Sequence, residues 1–208
     1  MPDVLLSDPD EVVRRRALSR SPHLGPLRPY LADLRARHGD VPDPDPLDGG
    51  ADARLLLLLE TPGPRIRPTM IVSRDNPSGT GRNLRAMMER AGIARRDTLI
   101  WNAVPWIIHA EGARNRAPSR AERQAGIAEL PALLALLPRL AVAVLAGRSA
   151  AMAESALRAA RLPLPVLLMG HPSPTIQCTD PAIPARCAAV LAEAAAILAD
   201  RPAVGAAA

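Results

Sequence analysis

Four short runs of apolar residues, each followed by a segment with helical periodicity, constrain the fold of this chain more than any other feature. The runs occupy residues 53–60, 97–106, 140–147 and 164–170. Helices are predicted over residues 80–93, 119–137, 148–161 and 184–201. Apolar runs are typical of strands buried on both faces, and strands that alternate with helices form a parallel sheet between helical layers. The sequence therefore predicts an α/β protein, a three-layer α/β/α sandwich around a four-stranded parallel sheet.

The length of 208 residues fits one domain with an extension at its N-terminus. We predict an extension over residues 1–50, an α/β domain over 51–201 and a disordered tail over 202–208. Apolar residues at helical spacing predict a helix over 27–39 that packs on the core. The acidic, proline-rich loop at 40–50 follows this helix and is expected to lie in solvent.

The charge and composition narrow the classes of function. The formal net charge is +5, and all 26 basic residues are arginine. This charge is compatible with a polyanionic partner, although an ordinary basic enzyme carries a similar charge. The preference for arginine, alanine and proline is typical of a GC-rich genome and indicates a bacterial source.

The N-terminal residues lack the apolar core of a signal peptide, and no apolar run is long enough to span a bilayer. We therefore expect a cytoplasmic monomer without membrane contact.

No cofactor is indicated by the sequence. Cys178 and Cys187 are too few for a four-cysteine metal or cluster site, and we expect both to be free thiols. Neither a Walker-type phosphate loop nor a GxGxxG pattern is present, so we expect neither a metal nor a nucleotide cofactor. His23, His38 and His109 are isolated in the sequence, and we expect them to lie at the surface or to cap local structure.

Side chains able to do chemistry lie at the end of each apolar run. The segments are Glu60-Thr61-Pro62-Gly63-Pro64, Asn102, Gly147-Arg148-Ser149 and His171-Pro172-Ser173-Pro174. Because ligands of parallel sheets bind outside the carboxyl ends of the strands, we expect these four segments to converge on one site.

In this order, the segments LLLLLETPGP, LIWNAVPW, LAGRSA and MGHPSP resemble the uracil-DNA glycosylase superfamily, over roughly residues 53–178. The resemblance implies a four-stranded parallel sheet flanked by helices. It also implies that the protein removes uracil, or another deaminated base, from DNA by hydrolysis of the N-glycosidic bond. The protein would act without a cofactor and without a lyase step.

The resemblance implies a role for individual residues. Glu60-Thr61-Pro62-Gly63 match the GEAPG form of the family's first motif, with Glu60 and Thr61 at the catalytic centre and Pro62 and Gly63 against the base. Asn102 matches the asparagine that reads the edge of uracil. His171 matches the histidine that stabilises negative charge on uracil O2.

The HPSP loop and several arginines are predicted to contact DNA. Ser173 matches the family's phosphate-binding serine, and Pro172 lies beside it. The family inserts an apolar wedge from the loop that follows, where Ile176 is the best candidate. Further DNA contacts are expected from Arg74, Arg82 and Arg148. The segment around the first two of these could instead be a polar loop that leads into a helix.

Two departures from the family pattern leave the activity open. Thr61 stands where some members have an aspartate that activates water, so water would be held by Glu60, by backbone carbonyls near Pro62 or by His171. The chain also lacks phenylalanine, on which the family stacks the everted base. We expect Met70, Ile71 or Val72 to replace it and favour Ile71.

Three functions therefore stay open at this point. The first is a uracil-DNA glycosylase, which Asn102 and the HPSP loop favour. The second is a binding module of the same fold that holds a base, a nucleotide or DNA without catalysis, which the missing aspartate and phenylalanine favour. The third is a hydrolase of free modified nucleosides or nucleotides.

Overall fold

A computed structural model describes residues 5–160 and 163–201 of the chain. The predictions that concern residues 1–4, Arg161, Leu162 and the tail at 202–208 lie outside the described residues. The strands are β1 (Asp43–Pro44), β2 (Leu55–Leu59), β3 (Ile71–Val72), β4 (Thr98–Asn102), β5 (Val142–Ala146) and β6 (Val166–Met169). The helices are α1 (Pro9–Ala17), α2 (Leu27–His38), α3 (Gly79–Arg90), α4 (Arg120–Ala128), α5 (Leu130–Ala135), α6 (Arg148–Ala151), α7 (Glu154–Ala160), α8 (Pro174–Gln177) and α9 (Ala182–Asp200).

Four of the strands form one parallel sheet in the order β4-β2-β5-β6. The register pairs Leu59 of β2 with Asn102 of β4, and Ala146 of β5 with Met169 of β6. The carboxyl ends of all four strands are therefore level at one end of the sheet. The predicted α/β class and its four-stranded parallel sheet are confirmed.

The leucines of β2 show how the sheet is covered on both faces. Leu55 and Leu57 are buried with residues of α3 and α9. Leu56 and Leu58 are buried on the opposite face with residues of α2, α5 and α7. Successive side chains of a strand point to opposite faces, so an unbroken apolar run fills both interfaces. Because α2 contributes to one of them, part of the first 50 residues shares the core of the sheet.

Two helices that the sequence predicts as continuous are each divided. The segment at 119–137 forms α4 and α5, with Glu129 between them and a proline near the start of α5. A proline lacks a backbone N–H and disfavours helical geometry in the residue before it. The segment at 148–161 turns at residues 152–153, which separates α6 from α7 within the described part of the chain. The structure also contains a short parallel pair of strands, β1 and β3, that the sequence did not predict.

Most of the acidic loop at 40–50 is buried, contrary to the expectation that it lies in solvent, and only Asp40 and Asp43 keep exposed side chains. Asp45 accepts hydrogen bonds from Arg15 of α1 and from Arg95, each at 2.6–2.7 Å. Asp75 binds the same two guanidinium groups at 2.7 Å. The two arginines come from distant parts of the chain. Together they form ion pairs with Asp45 and Asp75, and these pairs offset the cost of removing the two carboxylates from water.

Asp48 lies within the same buried network. Its Oδ1 is 3.2 Å from Nε of Arg95 and 3.9 Å from a guanidinium nitrogen of Arg74. Burial, followed by the negative charge of Asp45, raises the pKa of Asp48 to about 7. The network joins helix α1 to the α/β domain, because Arg15 reaches it from that helix.

Helix α9 is the one helix in the described ranges that is long and apolar enough, by length and composition alone, to cross a membrane. Four of its side chains, Cys187, Leu191, Ala194 and Leu198, are buried in the cluster that covers the sheet. Part of the apolar character of this helix therefore comes from the side chains that pack on the core.

Candidate active site

One cavity of about 1050 Å³ opens at the carboxyl ends of the four strands of the sheet. Glu60 enters it directly after β2, and Asn102 is the last residue of β4. Gly147 follows β5, and His171 lies in the loop after β6. The topology therefore brings the four predicted segments to a single site.

Asn102 offers an unoccupied amide to this cavity. The residue is only 2% exposed, yet it lines the cavity, and among residues 5–160 and 163–201 its side chain has no hydrogen-bond partner. Its backbone is held by the pairing of β4 with β2. A buried amide without a partner is costly, so a ligand that both donates to it and accepts from it would be bound selectively.

The imidazole of His171 is fixed by its own loop. Its Nδ1 accepts a hydrogen bond from the backbone N–H of Ser173 at 3.1 Å, and its carbonyl accepts one from the Gln177 side chain at 2.9 Å. Burial lowers the pKa of His171 below its ordinary value, while the charge of Glu60 acts in the opposite direction. A neutral ring whose Nδ1 is an acceptor carries its proton on Nε2, so we assign Nε2–H as the donor left for a ligand.

Gly147 allows the loops after β5 and β6 to approach one another. Its φ of 92° lies in the left-handed region, which side chains rarely adopt. A Cβ atom at this position would lie 3.0 Å from Cβ of His171. Glycine therefore satisfies both the backbone conformation and the close packing against the histidine.

The HPSP loop is anchored on the N-terminal end of α3. The side chain of Asn83 donates a hydrogen bond to the carbonyl of Pro172 at 2.9 Å. A Cβ atom on Gly79 would lie 2.4 Å from Cγ of Pro174, so this glycine is needed for the contact. The two rigid prolines and these contacts hold the imidazole in place.

Glu60 is oriented by Ser149, the second residue of α6. The hydroxyl of Ser149 donates a hydrogen bond to Oε1 of Glu60, and the serine is 7% exposed. The carboxylate is therefore fixed beside Thr61, where a water molecule could be held. Ser149 was present in the sequence pattern, but no feature of the sequence indicated that it would bind Glu60.

For the reaction that the resemblance implies, excision of a base from DNA, we predict that Ser149→Ala lowers the single-turnover rate tenfold or more, because a hydrogen bond to a charged group contributes roughly 1.5–3 kcal/mol. Affinity for a duplex with an abasic-site analogue should change less than twofold, since Ser149 is buried. Ser155→Ala, at an exposed position of α7, is the matched control. An unchanged rate in Ser149→Ala would show that the position of Glu60 does not matter.

The structure corrects three of the predicted contacts. Ile71 is 2% exposed and packs against Leu6 and Val12, so it does not form the stacking surface. Arg74 is 3% exposed and bonds Thr98, which removes it from any DNA surface. Pro172 is buried, and its contribution is the carbonyl that Asn83 binds.

The remaining predicted residues are distributed as follows. The cavity is lined by Thr61, Pro62, Gly63, Arg148, Ser173 and Ile176. Arg82 is exposed on α3 but does not line the cavity. The neighbour of Ile71 in β3, Val72, lines the cavity together with Ile66, so the cavity has an aliphatic surface beside the predicted position.

Some cavity residues had no signal in the sequence. Asn115 comes from the long connection after β4, Arg123 lies in α4, and Met152 lies in the turn that divides α6 from α7. His109 of the same connection is buried rather than at the surface, and its ring nitrogens have no partner within the described ranges. Burial lowers the pKa of His109, which keeps the ring neutral.

The sheet and its helices thus present a free amide, a fixed carboxylate and a neutral imidazole in one cavity. The family model described as the uracil DNA glycosylase superfamily matches residues 47–194 of the chain. The chain belongs to this superfamily. A search of curated proteins finds no match.

Proposed function

We propose that this protein is a monofunctional DNA glycosylase that hydrolyses the N-glycosidic bond of deoxyuridine, or of another deaminated nucleotide, in DNA. The observation that carries the proposal is the free amide of Asn102 in the same cavity as the Nε2–H of His171. Members of the superfamily act on DNA, and membership supports glycosylase activity in general.

The amide of Asn102 can select uracil by its hydrogen-bonding pattern. Its NH₂ group can donate to O4 of uracil while its oxygen accepts from N3–H. Cytosine carries an amino donor in place of O4 and lacks the proton on N3, so both contacts would be lost. An everted base would lie between this amide and the aliphatic side chains of Val72 and Ile66.

His171 can stabilise the leaving base. When the bond between C1′ and N1 breaks, its electron pair moves onto uracil, and negative charge develops on O2. A donor already directed at that oxygen lowers the barrier without reorganisation during the reaction. Water then adds to C1′, and the proton that it loses is balanced by the one that the uracil anion takes up, which yields free uracil and an abasic site.

Glu60 is the group that would hold this water. Thr61 cannot act as a base, whereas Glu60 is a carboxylate fixed by Ser149 and adjacent to Thr61. Because Glu60 would position the water and no aspartate lies beside it, we expect slow turnover. The stabilisation of the leaving base by His171 would not be affected.

The charges around the cavity favour a polyanion. Among the described residues, its lining contains the cations Arg65, Arg123 and Arg148 and one carboxylate, that of Glu60. Arg65 and Arg148 are exposed and have no ion-pair partner within the described part of the chain. Both can therefore bind DNA phosphates, with Ser173 as a further phosphate contact.

Binding to DNA is expected to weaken as the salt concentration rises, because arginines at the phosphates displace condensed counterions. Arg148→Ala should reduce the slope of log K against log salt by about 1. Arg90→Ala, at the far end of α3, should leave the slope unchanged and serves as the control. Fluorescence anisotropy with a labelled duplex measures both values, and an affinity independent of salt would argue against phosphate contacts.

Excision from defined oligonucleotides tests the proposed function. Oligonucleotides with a single deoxyuridine, hypoxanthine or xanthine are incubated with excess protein, and alkali then cleaves any abasic product. Cleavage at one of these bases is expected. Tight binding without cleavage would favour the binding module instead, and release of base from free deoxyuridine alone would favour the nucleoside hydrolase.

A further inference from the structure

A second cavity lies in the part of the chain that precedes the matched family domain. It has a volume of about 300 Å³ and is lined by residues between 19 and 44, whereas the family match begins at residue 47. This volume lies at the lower end of the range for small-molecule sites. In the described part of the chain, no residue lines both this cavity and the active-site cavity. Neither the family match nor the proposed reaction therefore explains it.

Three arginines from two parts of the chain meet at this second cavity. Arg28 and Arg35 lie seven residues apart on α2, a spacing that places both on one face of the helix. Arg20 comes from the turn that follows α1. All three are exposed, and Asp43 is the one carboxylate among the described lining residues. The lining therefore keeps an excess of positive charge.

The hydrogen bonds of the three arginines leave donors for a ligand. Arg35 is oriented by the carbonyl of Val41, which accepts from its Nε and Nη2 at 3.0 and 2.9 Å, and by Oδ1 of Asp43, 2.6 Å from Nη2. Its Nη1 has no partner among residues 5–160 and 163–201, and the side chains of Arg20 and Arg28 have none there either. A guanidinium group held on one edge and free on the other is already oriented to bind an oxyanion.

The floor of the second cavity is apolar. Leu24 and Leu31 are 4% and 5% exposed, Pro44 is also buried, and all three line the cavity. An inorganic anion would use the arginines and leave this floor uncovered. The lining therefore favours an anion that carries a less polar group, which would cover the floor when the anion is bound.

We propose that the second cavity binds a nucleotide, with its phosphate between the three arginines and its sugar or base over the apolar floor. Phosphate is favoured because its oxygens can accept from several guanidinium groups at once, and the hydroxyl of Ser19, which also lines the cavity, is a further donor.

The phosphate can come from a free nucleotide or from DNA that is bound at the active site. Pro44 lines the second cavity, and Val72, its partner in the pairing of β1 with β3, lines the active-site cavity. Paired strands lie about 4.8 Å apart, so the two cavities are close neighbours. Only the second source rests on the proposed function.

Isothermal titration calorimetry with thymidine 5′-monophosphate, thymidine and inorganic phosphate tests the free-nucleotide source. The monophosphate should bind the wild type more tightly than either of the other two. The double variant Arg20→Ala/Arg28→Ala should bind it at least tenfold more weakly, since each exposed ion pair contributes up to about fivefold. Arg90→Ala/Arg139→Ala removes two exposed arginines outside both cavities and should bind like the wild type.

Fluorescence anisotropy with a labelled duplex tests the DNA source. If DNA supplies the phosphate, the double variant should reduce the slope of log K against log salt by about 2, relative to the control. If the ligand is a free nucleotide, the two double variants should bind DNA alike, and only the affinity for the monophosphate should fall.

Two results would overturn the proposed site. The first is a double variant that matches the control in both measurements. The second is inorganic phosphate that binds as tightly as the monophosphate, which would refute the role of the apolar floor. Excision from a deoxyuridine oligonucleotide is measured on the same proteins. A wild type that excises no base but binds the monophosphate through these arginines would refute the glycosylase function and leave the nucleotide site standing.

Discussion

Replacing His171 by alanine is expected to lower the single-turnover rate of uracil excision a hundredfold or more. The variant removes the Nε2–H that would meet the charge on uracil O2, and loss of one preorganised donor commonly costs this much. Binding to a duplex with an abasic-site analogue should be nearly unchanged, because the imidazole acts on the departing base. The rates are measured on a deoxyuridine oligonucleotide at saturating protein concentration.

A matched variant separates this effect from a loss of folding. His23→Ala removes another partly buried histidine, one that bonds the carbonyl of Pro46 and lies outside the cavity, and it should excise at the wild-type rate. The pH dependence is a second readout. The lowered pKa of His171 keeps the ring neutral at neutral pH, so the rate should decline only on the acid side of the ordinary histidine pKa. Excision by His171→Ala at the wild-type rate would refute the assigned role.

Replacing Asn102 by alanine is expected to lower uracil excision by about two orders of magnitude and to reduce discrimination against cytosine. The variant removes the donor and the acceptor that uracil would satisfy together, and a polar site that loses its paired contacts no longer penalises the wrong base. The measurement is the ratio of single-turnover rates on oligonucleotides that carry deoxyuridine or deoxycytidine at the same position.

Two further variants make the Asn102 result interpretable. Asn102→Leu is similar in volume and lacks the amide, so it should reproduce the loss if the amide, rather than packing, is responsible. Asn115→Ala removes an exposed amide from the same cavity and should retain both rate and selectivity. If Asn102→Ala kept full discrimination between the two bases, another group would have to read the base.

Much of the site could be predicted from the sequence because it depends on local patterns joined by a simple topology. Each strand is an apolar run whose side chains point alternately to the two faces of the sheet. Asn102 and His171 follow from the positions at which two of these runs end. In a parallel sheet, these ends lie at the same side, so separate segments meet without any knowledge of side-chain contacts. The family match over residues 47–194 includes these segments.

The residues predicted wrongly are those whose neighbours come from far along the chain. Arg74 was expected at the surface but is buried against Thr98, close to Asp48. Strand β3 has only two residues, too few to show an alternating pattern, so the sequence could not tell that Ile71 faces α1 while its neighbour faces the cavity.

By itself, the sequence determined the α/β class, the order of the strands along the chain and the segments that end at the site, because apolar runs and helical spacing are encoded over a few neighbouring residues. Only the tertiary structure decided that Ser149 holds Glu60, that Asp45 and Asp48 are buried among arginines, and that Met152 lines the cavity. The physical reason is that burial and hydrogen bonding depend on groups brought together by packing, often from more than 30 residues away. No local pattern contains that information.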